Sequence, residues 1–115
     1  MNFSERCQQA THLLQRLHTV VSALDRDAGE LEVTHDDEPL LVRLVQGFSE
    51  CNRLSGELLY EQIPHIDQEE FSVGTAMRLA HDELMHRARG AHTDMELYVK
   101  LSANRRSKVT MLHAI

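Results

Sequence analysis

Glu83 and His86 stand three residues apart within a stretch whose apolar residues recur at helical spacing. That spacing sets a carboxylate and an imidazole on one helix face. In helix bundles such a pair, duplicated and joined by further inward carboxylates, holds a di-metal centre. Symmetry in a dimer could supply the duplicate, and His81 or Asp82 could assist. A metal-binding bundle built on Glu83 and His86 is therefore one alternative, set against a reading with no metal and no cofactor. Nucleophilic catalysis finds less support. Cys7 and Cys51 fall on apolar helical positions, where a thiol is usually inert. The serines sit at caps or on polar faces, without a nucleophile-elbow pattern, and there is no Gly-rich phosphate loop. The expectation is a protein that is not an enzyme.

His86-Arg87-Ala88-Arg89-Gly90 is similar to the His-x-x-Lys-Gly core of histidine phosphotransfer domains, with Arg in place of Lys. That likeness implies an exposed phosphoryl-carrying His86, a basic residue three positions on, and a glycine that makes room for a receiver protein. The small and apolar pattern that follows in those domains is replaced here by His92-Thr93-Asp94. A phosphotransfer module using His86 is the second alternative.

The elements that must position these residues are helices. Cys7, Ala10, Leu14, Leu17, Val21, Leu24, Ala28 and Leu31 recur at alternating intervals of three and four, a heptad seam. Leu13 and Val20 widen it, which calls for more than one neighbour. Ser4 is a good N-cap, so the first helix is predicted over about 5–32. An acidic link, Val33 to Glu38, follows, with Asp36 or Asp37 as cap and Pro39 in a first turn. The second helix is predicted over about 38–62, stopped by Pro64. Asp67-Gln68-Glu69-Glu70 reads as a capping box for a third helix over about 68–102. This helix carries Val73, Met77, Ala80, Leu84, Ala88, Ala91, Met95, Tyr98 and Leu101. The polar stretch Ser102–Ser107 is expected to break it before a short last helix over about 105–113. The fold class is thus all-α: one domain, an elongated antiparallel bundle of three long helices plus a short C-terminal helix.

Composition narrows the functions. The 115 residues include no Trp, two Tyr and three Phe, so the core must be Leu, Val, Ala and Met. So thin a core would gain from a homodimer or a bound partner. A net charge of −6 argues against a nucleic-acid binder, which needs a basic face. No run is long enough to span a membrane, and the N-terminus carries no apolar export segment. A cytoplasmic location is expected, with both cysteines reduced. Charge is unevenly spread. Acids dominate from Asp25 to Glu38, and none follows Glu96, whereas Lys100, Arg105, Arg106 and Lys108 are basic. That end either complements a helix C-terminus or forms a detachable basic helix that docks on an acidic surface. Met-rich helix faces suit adaptable protein binding.

The C-terminal third resembles the flagellar export chaperones of the filament-cap (FliT) type. The likeness rests on Asp82-Glu83, on Met95-Glu96-Leu97-Tyr98-Val99-Lys100-Leu101, and on Lys108-Val109-Thr110-Met111-Leu112-His113-Ala114. Ile115 stands where that family often has Tyr. The upstream part matches in layout alone. The resemblance implies a small cytosolic helical bundle that binds a helical segment of an export substrate, prevents its premature assembly and escorts it to the export apparatus. It also implies a last helix that covers the binding face and moves aside. Here that helix would draw on Arg105, Arg106, Lys108, Val109 and Leu112, and the face on Leu84, Ala88, Ala91, Met95, Tyr98 and Leu101.

Overall fold

The computed structural model describes the backbone of residues 1–114 and the side chains of residues 1–106. Among them the regular structure is entirely helical: α1 (Phe3–Gly29), α2 (Glu38–Gly56), a π-helical turn (Glu57–Gln62), α3 (Ile63–Glu69) and α4 (Phe71–Ala114). No helix among the described residues is long and apolar enough to cross a membrane.

The first helix starts two residues earlier than Ser4 suggested. Asn2 is the cap: its Oδ1 accepts the Glu5 N–H at 2.8 Å, and its Nδ2 donates to Glu5 Oε1 at 3.0 Å. The first bond satisfies one of the free N–H groups at the helix start, and the second ties the two side chains to each other. Ala10, Leu13, Leu17, Val21 and Leu24 are buried, while Cys7, Leu14, Val20, Ala28 and Leu31 are half-buried. The seam is therefore wide, because α1 packs against both α2 and α4. At Gly47 a β-carbon would lie 2.6 Å from Leu24 Cδ2, so α1 and α2 approach closely there. Asp37 stands at the N-cap of α2, but its carboxylate turns back to accept the Glu32 N–H at 2.8 Å. Pro39 occupies the first turn, as expected.

The descending limb corrects the expectation at Pro64. The chain does not leave helical geometry there; it passes through the π turn and continues as α3 to Glu69. In an α-helix Pro64 would leave the Tyr60 carbonyl without a donor and press its ring against it. The wide turn just before Pro64 absorbs that conflict, with the Ile63 N–H donating to the Leu58 carbonyl five residues back. The same turn corrects the phase of the stripe. Leu40, Leu44, Cys51, Leu54 and Leu58 are buried at heptad spacing. Carried on without interruption, that rhythm would turn Glu61, His65 and Gln68 inward. With one extra residue in the turn, Gln62, Ile63 and Ile66 go inward instead, and Glu61, His65 and Gln68 stay exposed.

Asp67 is not a cap either. It lies inside α3, and the break falls at Glu70, which is extended at φ −142° and ψ 98°. Asp67 instead receives Arg78 of α4 at 2.5 Å across the corner. Buried Gly74 makes this approach possible, since a β-carbon there would fall on the Asp67 carboxylate and 3.3 Å from its Cα.

The separate short C-terminal helix is the last correction. Residues 102–107 are polar, but they contain no Gly or Pro, and an exposed helix needs no apolar side chains to continue. α4 accordingly runs unbroken for 44 residues, about 66 Å at 1.5 Å per residue. It accounts for the long axis of a molecule measuring 70 × 19 × 18 Å. The helix also passes through exposed Gly90 without interruption.

Two glycines of α4 should respond oppositely to Ala. Gly74→Ala forces α3 away from α4 and is expected to cost about 1–3 kcal/mol. Gly90→Ala meets open space and should stabilise by about 0.5–1 kcal/mol through helix propensity. Urea unfolding followed by circular dichroism would check both signs.

Candidate functional site

The inward stripe of α4 can be followed by residue. Gly74, Met77, His81, Leu84, Ala88, Ala91, Met95, Tyr98 and Ser102 alternate at three and four, and each is buried or half-buried. The expected partner-binding face overlaps this line heavily. Leu84, Ala88, Ala91 and Tyr98 are buried and Met95 half-buried, whereas Leu101 points away, 46 % exposed. In this structure those residues are the contact surface for α1 and α2. Arg105 to Ala114 belongs to the same continuous helix, and the end of a straight helix cannot lie across its own upstream face. Arg105 donates to the Val33 carbonyl at 3.1 Å, joining the basic end to the acidic link. Arg106 is exposed. The side chains of Lys108, Val109 and Leu112 lie outside the described residues.

His81 is the polar member of the stripe that apolar periodicity missed. It is 4 % exposed and sits between α2 and α4. Its Nδ1–H donates to Asp82 Oδ1 at 2.9 Å, which leaves Nε2 to accept the Ser55 hydroxyl at 2.6 Å. Ser, His and Asp in that order form the relay that activates a nucleophilic serine. Such chemistry also needs donors aimed at a developing oxyanion. Here Ser55 lies within a helix, and the nearby Glu57 N–H is already bonded to the Arg53 and Leu54 carbonyls. What the geometry does is pin α2 to α4 at one register, because a slipped register would strand a buried imidazole.

The other candidates lie on the surface. Glu83, His86, Arg89 and Gly90 are exposed on α4, and Arg87 pairs with Asp25 of α1 at 2.7 Å. A second Glu-x-x-His, Glu32–His35, sits in the link, where the two side chains bond each other at 2.8 Å. Among the described residues no three His, Cys, Asp or Glu side chains converge as a metal site would require. Cys51 is 1 % exposed, and burial pushes its thiol up to about 11, far from a reactive thiolate. Glu50 joins Arg16 of α1 to Arg53 of α2, and its hydrogen bond from Arg53 holds the carboxyl below its usual range.

Two grooves flank α4. One, between α1 and α4, is lined by Thr11, Leu14, Val73, Ala76, Met77 and Ala80 and encloses about 400 Å³. The other, between α2 and α4, encloses about 90 Å³ beside Phe48, Asn52, Met85 and Arg89. His92 closes it, edge-on to Phe48 at 4.9 Å. Leu79, 65 % exposed, stands three residues beyond Ala76 on α4. It breaks the stripe's rhythm, and that was the available signal for an apolar residue serving something other than the core. Compared with protein-family models, with curated proteins and with solved structures, the chain has no match.

Ser55→Ala should destabilise the fold by about 1–3 kcal/mol, because it leaves the His81 Nε2 buried without a partner. Adding His81→Leu in the same chain should recover part of that loss. A double-mutant cycle in urea would measure the coupling.

Proposed function

We propose that this chain is a cytosolic helix-binding adaptor of the export-chaperone kind. It holds an amphipathic helix of a partner protein in the groove between α1 and α4 and so keeps that helix from assembling early. The observation that carries this reading is the groove's lining. Exposed Ala76 and Ala80 allow a close helix approach, half-buried Leu14, Val73 and Met77 supply an adaptable apolar floor, and exposed Leu79 follows Ala76 by three residues on the same helix. A guest helix would cover Leu79 and gain roughly 1.5–3 kcal/mol for each Leu-sized anchor it buries. The likeness to flagellar export chaperones supplies the class of guest, a C-terminal helical segment of an exported subunit.

Labelled peptides of such segments would test it by fluorescence anisotropy. Leu79→Glu is expected to weaken binding at least about tenfold without lowering thermal stability. Leu97→Glu, at another exposed position on α4 (56 % exposed), should leave binding unchanged. Equal affinities for all three proteins would rule the groove out.

A second reading keeps one observation of its own. His86 is exposed, and a β-carbon at Gly90, one turn on, would meet nothing within 4 Å. A receiver protein could approach the imidazole from that side. Incubation with a phosphorylated receiver should then leave an acid-labile label that His86→Gln abolishes and His92→Gln preserves. An unlabelled protein would remove this reading.

A further inference from the structure

We infer that the outward stripe of α4 centred on Gly90 is the interface of a symmetric dimer, in which a second copy of this chain lays its own α4 antiparallel across it. Counted from Gly90, Asp94, Leu97 and Leu101 stand four, seven and eleven residues after it. His86, Glu83 and Leu79 stand four, seven and eleven residues before it. Gly90 and all six are exposed. At 3.6 residues per turn they lie within about 40° of Gly90 around the helix axis, a single line about 33 Å long. The spacing therefore reads the same from either end. A two-fold axis at Gly90 sets Leu79 against Leu101 of the second copy, and Leu101 against its Leu79. The pairing takes Leu79, Leu97 and Leu101, each about half exposed or more, out of water together. The closest approach falls at Gly90, where a β-carbon would meet nothing within 4 Å of its own chain and the missing side chain lets two backbones come near.

Charge decides the direction. Two parallel stripes would set Glu83 on Glu83 and Asp94 on Asp94, like on like. In the antiparallel pair Asp94 falls beside Arg87 of the second copy, and Lys100 beside its Asp82. The symmetry forms each of these contacts twice. Asp94 and Lys100 make no ion pair among the described residues. Arg87 donates Nε–H and Nη2–H to Asp25 Oδ2 of α1, which leaves Nη1 to donate outward. Glu83 faces Leu97 of the second copy, a polar layer that costs stability and keeps the pair reversible. Leu79 is the one residue of this stripe that the guest-helix reading uses. Gly90 and Leu101 play no part in that reading, so the dimer stands whether or not the groove between α1 and α4 holds a helix.

The test is sedimentation velocity of the full chain from about 1 μM to about 1 mM. Association toward twice the 13.2 kDa of one chain is expected. Gly90→Leu should raise the dimer dissociation constant at least about tenfold by blocking the close approach. Leu101→Glu should do the same by placing a charge in the apolar contact. Both positions are exposed, so at concentrations where the chain is monomeric neither variant should unfold more readily than the parent. Asp94→Asn should raise the constant about threefold, as lost surface ion pairs do. A chain that stays monomeric throughout, an assembly that withstands both Gly90→Leu and Leu101→Glu, or tighter association of Asp94→Asn, as a parallel pair would show, would overturn the proposal.

Discussion

One extra residue in the turn Glu57–Gln62 sets the phase on which the bundle depends. Upstream of it, α2 offers Leu44, Cys51 and Leu54 to the core; Leu58 within the turn continues that line, and downstream Ile63 and Ile66 take over, both fully buried. An uninterrupted α-helix would rotate those isoleucines toward water and carry Glu61 and His65 inward, where an unpaired charge is costly. The same turn accommodates Pro64, so a residue that breaks most helices here sits where the hydrogen-bond ladder is already widened. The corner that follows depends on that phase. Asp67 reaches Arg78, and Gly74 lets α3 come close enough for it to do so.

The second constraint is that α4 is not purely apolar on its inner line. Gly74 and His81 precede Leu84, Ala88, Ala91, Met95 and Tyr98 on that line, and Ser102 follows them. The small residues bring the neighbouring helices close at mid-length, which favours dispersion contacts over bulk. His81, tied to Ser55, trades hydrophobic stabilisation for a defined register. A three-helix bundle around such a line has to leave furrows beside α4, since no fourth helix fills them. In one furrow Ala76 and Ala80 are open to solvent beside half-buried Leu14 and Met77.

Much of this was legible in the residues. The heptad spacing from Cys7 to Leu31 announced α1 and its width, Pro39 announced the start of α2, and the acidic link falls between them as composition suggested. The misses have physical causes. Pro64 signals a stop only if the helix before it keeps its α-type ladder, and a local π turn removes that premise. Asp67 reads as a cap because side-chain type reveals the capacity to accept N–H bonds but not which donor is near; Arg78, eleven residues on, decided the matter. The polar run Ser102–Ser107 resembled a break because polarity and helix termination correlate, although only backbone geometry ends a helix. For the candidate site, His86 and Gly90 were visible as an exposed pair. The partnership of Ser55 with His81, 26 residues apart, was not.

By itself the sequence determined that the chain is helical and thinly cored, because apolar periodicity and the scarcity of Gly and Pro act locally, within a few residues of each position. It also determined where positive and negative charge accumulate. Tertiary structure alone decided which small residues of α4 were core and which lined an open furrow. It likewise decided that the basic end of α4 meets the link through Arg105 and the Val33 carbonyl. Such outcomes depend on which helices lie side by side and at what register. Those are properties of contacts between distant segments, and no interval along one helix encodes them.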